Sequence, residues 1–148
     1  LLVINDLVDI ALAVGADGVH LGQDDMAVSE ARRIAPDLLL GASTHNLAEA
    51  LQAQKAGADY INIGPIFKTD TKTMDPIGVG AIGPIAAKIN IPFTVMGGIK
   101  LENLEQVLSA GARRVAVVTA LTEAPDSEGA TRDFISRIKY AKINLVKV

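Results

Sequence analysis

Cysteine and tryptophan are both absent from the 148 residues, and the aromatic complement is two Tyr and three Phe. Without cysteine, disulfide stapling and thiolate chemistry are excluded. With only 3% aromatic residues, the core must be built from Val, Ile, Leu and Ala, the palette of parallel strands packed under helices. No run of Lys or Arg is present and the formal charge is −3. The chain therefore lacks the electrostatic footprint of a nucleic-acid or anionic-membrane partner. No apolar run reaches membrane-spanning length and none has a signal-peptide layout, so the expected address is the cytoplasm. What is abundant is apolar surface. At 49% hydrophobic residues the chain can fill the core of a single domain. It opens without Met, in the run Leu1-Leu2-Val3-Ile4, which reads as the middle of a longer sequence.

Short runs rich in β-branched residues alternate with stretches of helical period, the signature of βα units and of an α/β fold. Six strands are expected: Leu1 to Ile4, Gly18 to Leu21, Leu38 to Ala42, Tyr60 to Ile63, Pro92 to Met96 and Val115 to Val118. Helices are expected around Val8 to Val14, Ala27 to Ile34, Asn46 to Ala56, Val79 to Ile89, Leu101 to Ala110 and Ala130 to Tyr140. Three of these helices run into Gly15-Ala16-Asp17, Gly57-Ala58-Asp59 and Gly111-Ala112-Arg113, punctuation that predicts left-handed glycine C-caps before tight loops. No linker divides the chain, so one domain over residues 1–148 is expected. An eight-unit barrel takes about 200 residues or more. Six units are thus either a small open sheet or a (β/α)₈ barrel lacking two units.

In both architectures function gathers at the carboxyl ends of the strands, and polar residues recur there. Asp6 and Asp25 could place two carboxylates across one mouth, suited to Mg²⁺, or could cap the helices that follow, as could Asp24. Thr69, Thr71 and Lys72 supply hydroxyls and a cation in a loop suited to gripping phosphate, or form a solvated lid-like surface loop. Gly97-Gly98 lets backbone N–H groups approach an anion at the start of a helix, and Gly98 and Thr119 close the last two expected strands, where barrel phosphate sites often lie. The alternative there is a tight turn with Thr119 as a core hydroxyl. His20 inside a strand is either a satisfied core histidine or a functional one. Ser43 either donates to a phosphate or caps a helix, and His45 belongs to a helix start.

The order of Asn5-Asp6, the His-x-Gly-Gln-x-Asp run from His20 to Asp25, Gly41-Ala42-Ser43-Thr44-His45, the Thr-x-Thr-Lys run from Thr69 to Lys72, Gly97-Gly98-Ile99 and Val117-Val118-Thr119-Ala120 resembles the thiamine phosphate synthase family. The resemblance covers the whole chain. It implies a TIM (β/α)₈ barrel in which the six units here are the family's third strand through eighth helix. It also implies a transferase that couples 4-amino-2-methyl-5-hydroxymethylpyrimidine diphosphate to 4-methyl-5-(2-phosphooxyethyl)thiazole, giving thiamine phosphate and pyrophosphate. The implied metal is Mg²⁺ on Asp6 and Asp25, with no organic cofactor. Asn5, Ser43 and Lys72 are implied to contact the diphosphate, Lys72 and Ser43 as catalytic groups. Thr69, Thr71, Gly98, Val118 and Thr119 are implied to hold the thiazole phosphate, and His20 to line the pyrimidine pocket. A homo-oligomer acting on small molecules is implied as well.

Two departures stand out. Thr119 replaces the family's usual Ser, keeping the hydroxyl. The family's first two βα units, with their Gln-x-Arg-x-Lys motif, have no counterpart among these residues. Three other readings compete. A thiazole tautomerase-like protein shares the fold, but Asp6, Asp25 and Lys72 argue against it. A non-catalytic phosphate-ligand binding module would use the same loops. A receiver domain also gathers Asp, hydroxyl and Lys at strand ends, but here Lys72 precedes the last two strands, which is the wrong order.

Overall fold

The computed structural model describes residues 1–69 and 74–145. Strands and helices alternate as β1 (Val3–Asn5), α1 (Val8–Ala13), β2 (Gly18–Leu21), α2 (Val28–Ile34), β3 (Leu39–Thr44), α3 (Leu47–Lys55) and β4 (Tyr60–Ile63). A 3₁₀ turn (Val79–Ala81), α4 (Ile82–Ala86), β5 (Phe93–Val95), α5 (Leu104–Ser109), α6 (Thr119–Thr122) and α7 (Ser127–Leu145) follow. The strands form one five-stranded sheet in the order β1-β2-β3-β4-β5, and β1 through β4 pair in parallel. The α/β class expected from the alternation is observed. The chain divides into two compact units, Leu1–Ile63 with Pro84–Phe93, and Gly64–Gly83 with Thr94–Val148.

In the first unit the strands carry two different faces. Val19, Leu21, Leu40, Ala42, Ile61 and Ile63 occupy alternate positions and are buried. Val19 and Leu21 of β2 and Leu40 of β3 cluster with Val8 and Ala11 of α1 and Ala31 of α2, whose small alanines let the helices lie close to the sheet. Each fully buried Leu or Ile contributes about 1.5–3 kcal/mol. The intervening positions, His20, Gly41, Ser43, Tyr60 and Asn62, project to the opposite face. In the second unit the buried side chains among the described residues include Ile66, Val95, Leu104, Val107 and Phe134.

The three Gly-Ala helix ends behave as expected. Gly15, Gly57 and Gly111 have φ of 63°, 96° and 103°. The next residue reaches back in each case, Ala16 N–H to Ala11 O at 2.9 Å, Ala58 to Ala53 O at 3.0 Å and Ala112 to Val107 O at 3.3 Å. That bond satisfies a carbonyl the helix leaves open.

Four expectations are corrected. Val115 to Val118 is not a strand. Val95 N–H donates to Arg114 O and Ala116 N–H to Val95 O, a single bridge, and Val118 then leaves extended geometry with ψ of −82° to start α6. The helix expected over Val79 to Ile89 shrinks to a 3₁₀ turn and five residues, because Gly80 and Gly83 weaken it and Pro84 is tolerated only near its start. The helix expected from Leu101 begins at Leu104, after a turn. The last helix starts at Ser127, three residues before the expected Ala130.

Candidate functional site

The polar face of the first unit is built by register. His20 pairs with Gly41, and Gly41 with Tyr60, across β2, β3 and β4. Gly41 has no side chain, and a Cβ there would collide with the Tyr60 ring and His20 Nδ1. His20 and Tyr60 therefore meet over it, with ring centroids 5.5 Å apart and a 3.0 Å hydrogen bond between Nδ1 and the phenol. His20 Nε2 lies 3.0 Å from Ser43 Oγ, one strand over and two residues on. Burial pushes the Tyr60 phenol above its ordinary pKa, which keeps it a donor. Both ring nitrogens of His20 are thus engaged, Nδ1 by the Tyr60 phenol and Nε2 by the Ser43 hydroxyl. Gln23 Nε2 donates to the Ser43 carbonyl at 2.5 Å and holds the strand end from the neighbouring loop. Asn62, in register with Ser43, is buried beside it.

Asn5 ends β1 opposite His20, and Asp6 follows with its N–H donated to His20 O at 2.8 Å. Asp6 has φ of 67°, the single non-glycine residue in the left-handed region among the described residues. Asp25 follows the adjacent strand, and its Oδ2 accepts the Gly22 N–H at 2.6 Å. Both carboxylates are exposed. Among the described residues no group of three or more His, Asp or Glu side chains gathers into a metal cage. Two hard carboxylates on neighbouring strand ends fit a cation that keeps waters and shares substrate oxygens.

The capping alternatives for these residues are not realised. The N-cap of α1 is Leu7 and that of α2 is Ala27, both without a side-chain cap bond. The cap of α3 is Asn46, not Ser43, and its side chain accepts the Glu49 N–H at 2.9 Å. Glu49 returns the bond by accepting from His45 N–H at 2.8 Å, so His45 does stand at a helix start.

The second unit holds a cavity of about 480 Å³ whose lining includes Lys68, Thr69, Gly98, Lys100, Thr119 and Glu123. Gly97 and Gly98 have φ of 102° and 60°. A Cβ at Gly97 would lie 2.5 Å from Pro65 Cα, and one at Gly98 would strike the Lys68 carbonyl. Glycine is required at both positions. Thr119 is exposed and opens α6, so it is neither a strand end nor a core hydroxyl. Val118 is the N-cap of that helix. The start of α5 is separated from Gly98 by the turn at Lys100 to Asn103, so no helix end sits directly on the glycine pair.

A family model described as thiamine monophosphate synthase matches residues 1–121. The chain belongs to the thiamine monophosphate synthase family. It is similar to the thiamine-phosphate synthase of Halalkalibacterium halodurans, 51% identical over 136 residues that make up 90% of this chain and 64% of that protein. It is also 51% identical over 133 residues to the thiamine-phosphate synthase of Chloroflexus aurantiacus, covering 88% of this chain and 62% of the relative. The chain thus spans less than two thirds of the length of either. Among solved structures, the thiamine phosphate pyrophosphorylase from Pyrococcus furiosus superposes with a TM-score of 0.87 at 40% identity, over 94% of this chain and 67% of that one.

Of the residues that likeness to the thiamine monophosphate synthase family singles out, Asn5, Asp6, His20, Asp25 and Ser43 lie in the first unit. Thr69, Gly98 and Thr119 line the cavity of the second, with Val118 adjoining Thr119 in sequence. Thr71 and Lys72 fall outside the described residues. Sequence reasoning assigned no role to Tyr60, Asn62 and Lys100, and read Gln23 only as part of the run from His20 to Asp25. The strict alternation in Tyr60-Ile61-Asn62-Ile63 carried the signal for the first two: both share a face with Ser43, away from the helices.

Proposed function

We propose that the protein is a thiamine phosphate synthase, a transferase coupling 4-amino-2-methyl-5-hydroxymethylpyrimidine diphosphate to 4-methyl-5-(2-phosphooxyethyl)thiazole. The observation that carries this reading is the family match over residues 1–121, which contains the proposed site residues in one continuous order. In the reaction the thiazole nitrogen forms a bond to the pyrimidine methylene carbon. The bond from that carbon to the diphosphate oxygen breaks, and its electron pair leaves with pyrophosphate. No protein nucleophile is needed, in keeping with a chain that lacks cysteine.

Catalysis then consists of orienting two substrates and stabilising negative charge on the leaving group. Asn5, Ser43 and Lys72 contact the diphosphate in this reading. The Ser43 hydroxyl, held 3.0 Å from His20 Nε2, contacts a phosphate oxygen in this reading. His20 lines the pyrimidine pocket with Tyr60 behind it. Asp6 and Asp25 would hold Mg²⁺, which when bound neutralises charge on the departing pyrophosphate. Thr69, Thr71, Gly98, Val118 and Thr119 hold the thiazole phosphate. We assign the protein to the cytoplasm as a homo-oligomer working on small molecules alone. Among the described residues no helix is long and apolar enough to cross a membrane. Asp6, Asp25 and Lys72 argue against a tautomerase-like protein, which does no coupling, and a non-catalytic binding module would bind the thiazole phosphate without Mg²⁺-dependent binding of the diphosphate.

The test is formation of thiamine phosphate from both substrates with and without Mg²⁺. Turnover is expected only with the metal, and Lys72→Ala is expected to lower kcat roughly 100-fold, the scale of losing one charge-stabilising donor. Absence of product from the wild-type protein with Mg²⁺ present defeats the reading. Unaltered turnover in Lys72→Ala removes that residue from the mechanism.

A further inference from the structure

The turn from Gly97 to Lys100 forms one wall of the second unit's cavity, and its left-handed glycines press against the segment from Pro65 to Lys68. Asn103 holds this turn from both sides. Its Nδ2 donates to Gly98 O at 2.9 Å, and its Oδ1 accepts the Lys100 N–H at 2.8 Å. The same residue is the N-cap of α5, where an Asn ordinarily accepts a helix N–H and stabilises the helix start. Here it makes no side-chain bond to the helix. Both of its polar atoms are committed to the cavity wall instead. The described charged side chains lining the cavity are Lys68 and Lys100 against Glu123, a balance of 2 − 1 = +1 that suits an anion.

We propose that Asn103 is a positioning residue for phosphate-ester recognition, fixing the Gly98 backbone and the base of Lys100 where a phosphate in this cavity meets them. The proposal rests on the reading that the cavity takes the thiazole phosphate. A turn with two left-handed glycines has many alternatives open to it, and a bidentate amide bridge removes them before the ligand arrives. Asn103 itself does not line the cavity. Its effect is therefore expected on the affinity for one substrate and not on the chemical step.

The experiment compares wild type, Asn103→Ala and Asn103→Asp by calorimetric binding of the thiazole phosphate and of inorganic phosphate, and by steady-state kinetics with each substrate varied. Asn103→Ala is expected to raise Kd and KM for the thiazole phosphate about 10-fold, the scale of losing one net hydrogen bond, with kcat and the KM for the pyrimidine diphosphate unchanged. Asn103→Asp keeps the shape and the bond from Lys100 but loses the donor to Gly98, and it is expected to weaken the same substrate. It carries the test if the Ala variant does not fold. Wild-type affinity for the thiazole phosphate in the folded variants, or an equal loss for both substrates, overturns the proposal. If the wild type binds the thiazole phosphate but forms no product, the coupling reading falls and calorimetry still decides the role of Asn103. If it binds neither the ester nor phosphate, both fall.

Discussion

Asp6 keeps a left-handed backbone that a glycine would adopt without strain. For a non-glycine residue that conformation costs roughly 1–2 kcal/mol, somewhat less for Asp, whose short polar side chain tolerates it. The ladder explains why the chain must turn there, since the Asp6 N–H still reaches His20 O at 2.8 Å, one step past the end of β1. It does not explain why the residue is Asp. A carboxylate at this strand end is what the metal-holding role proposed above calls for. Asp6→Gly therefore separates the two demands. Its stability in urea is expected to fall by no more than about 1–2 kcal/mol, because relief of strain offsets part of what the lost side chain and the freedom glycine gains in the unfolded chain cost. Turnover with Mg²⁺ is expected to be lost. A variant that keeps full turnover shows that the carboxylate is dispensable and that Asp6 is merely a turn residue.

At the scale of elements, the Gly-Ala-Asp punctuation does more than end helices. Asp59, just before β4, accepts the N–H of Leu40 in β3 at 2.7 Å through Oδ2. Asp17, just before β2, accepts the Leu2 N–H at 2.6 Å in the same way. Each carboxylate ties the start of its own strand to the strand before it. Arg32 of α2 adds a second layer, donating to Asp59 Oδ2 at 2.5 Å and to the carbonyls of Gly57, Pro36 and Leu38. The ion pair is partly exposed, with side-chain accessibilities of 29% and 42%, so the charge itself contributes little. The buried Leu40 N–H is the larger matter. Asp59→Ala leaves it without an acceptor and is expected to destabilise the fold by about 1–3 kcal/mol, while Asp59→Asn keeps an acceptor and loses less. Urea midpoints that fall equally in the two variants would assign the effect to the ion pair. The glycines of this motif were legible in the sequence because left-handed caps demand that residue type. The acceptor role of the aspartates was not, because it depends on which strand lies alongside.

Across the whole molecule, what the sequence made legible followed from local periodicity. Gly18–Leu21 and Tyr60–Ile63 are strands at the expected residues, since an alternating run bounded by Gly-Ala-Asp leaves little latitude. Val115 to Val118 has equal β propensity and failed, because propensity is realised only where a neighbour offers a ladder, and here a single bridge to Val95 is made. In the candidate site, Asn5, Asp6, His20, Asp25 and Ser43 were legible as polar residues at or beside strand ends. Tyr60 was not, since its meeting with His20 requires the empty Gly41 position between them. The same local patterning leaves one large-scale feature, a sheet edge with no partner strand among the described residues. β1 is the outermost strand of the sheet, and the flanking Leu7, Ile10, Leu12 and Val14 are 56%, 43%, 45% and 57% exposed. An end strand with one ladder partner among the described residues, beside an apolar helix flank, invites pairing with another copy. The 148-residue chain on its own is expected to associate as its concentration rises, seen as a growing sedimentation coefficient and dye binding to exposed apolar surface. Ile10→Lys combined with Leu12→Lys should suppress that association while each change alters stability by no more than about 0.5 kcal/mol, as for surface positions generally. A wild-type chain that sediments as a monomer at every concentration would show that this flank is inert.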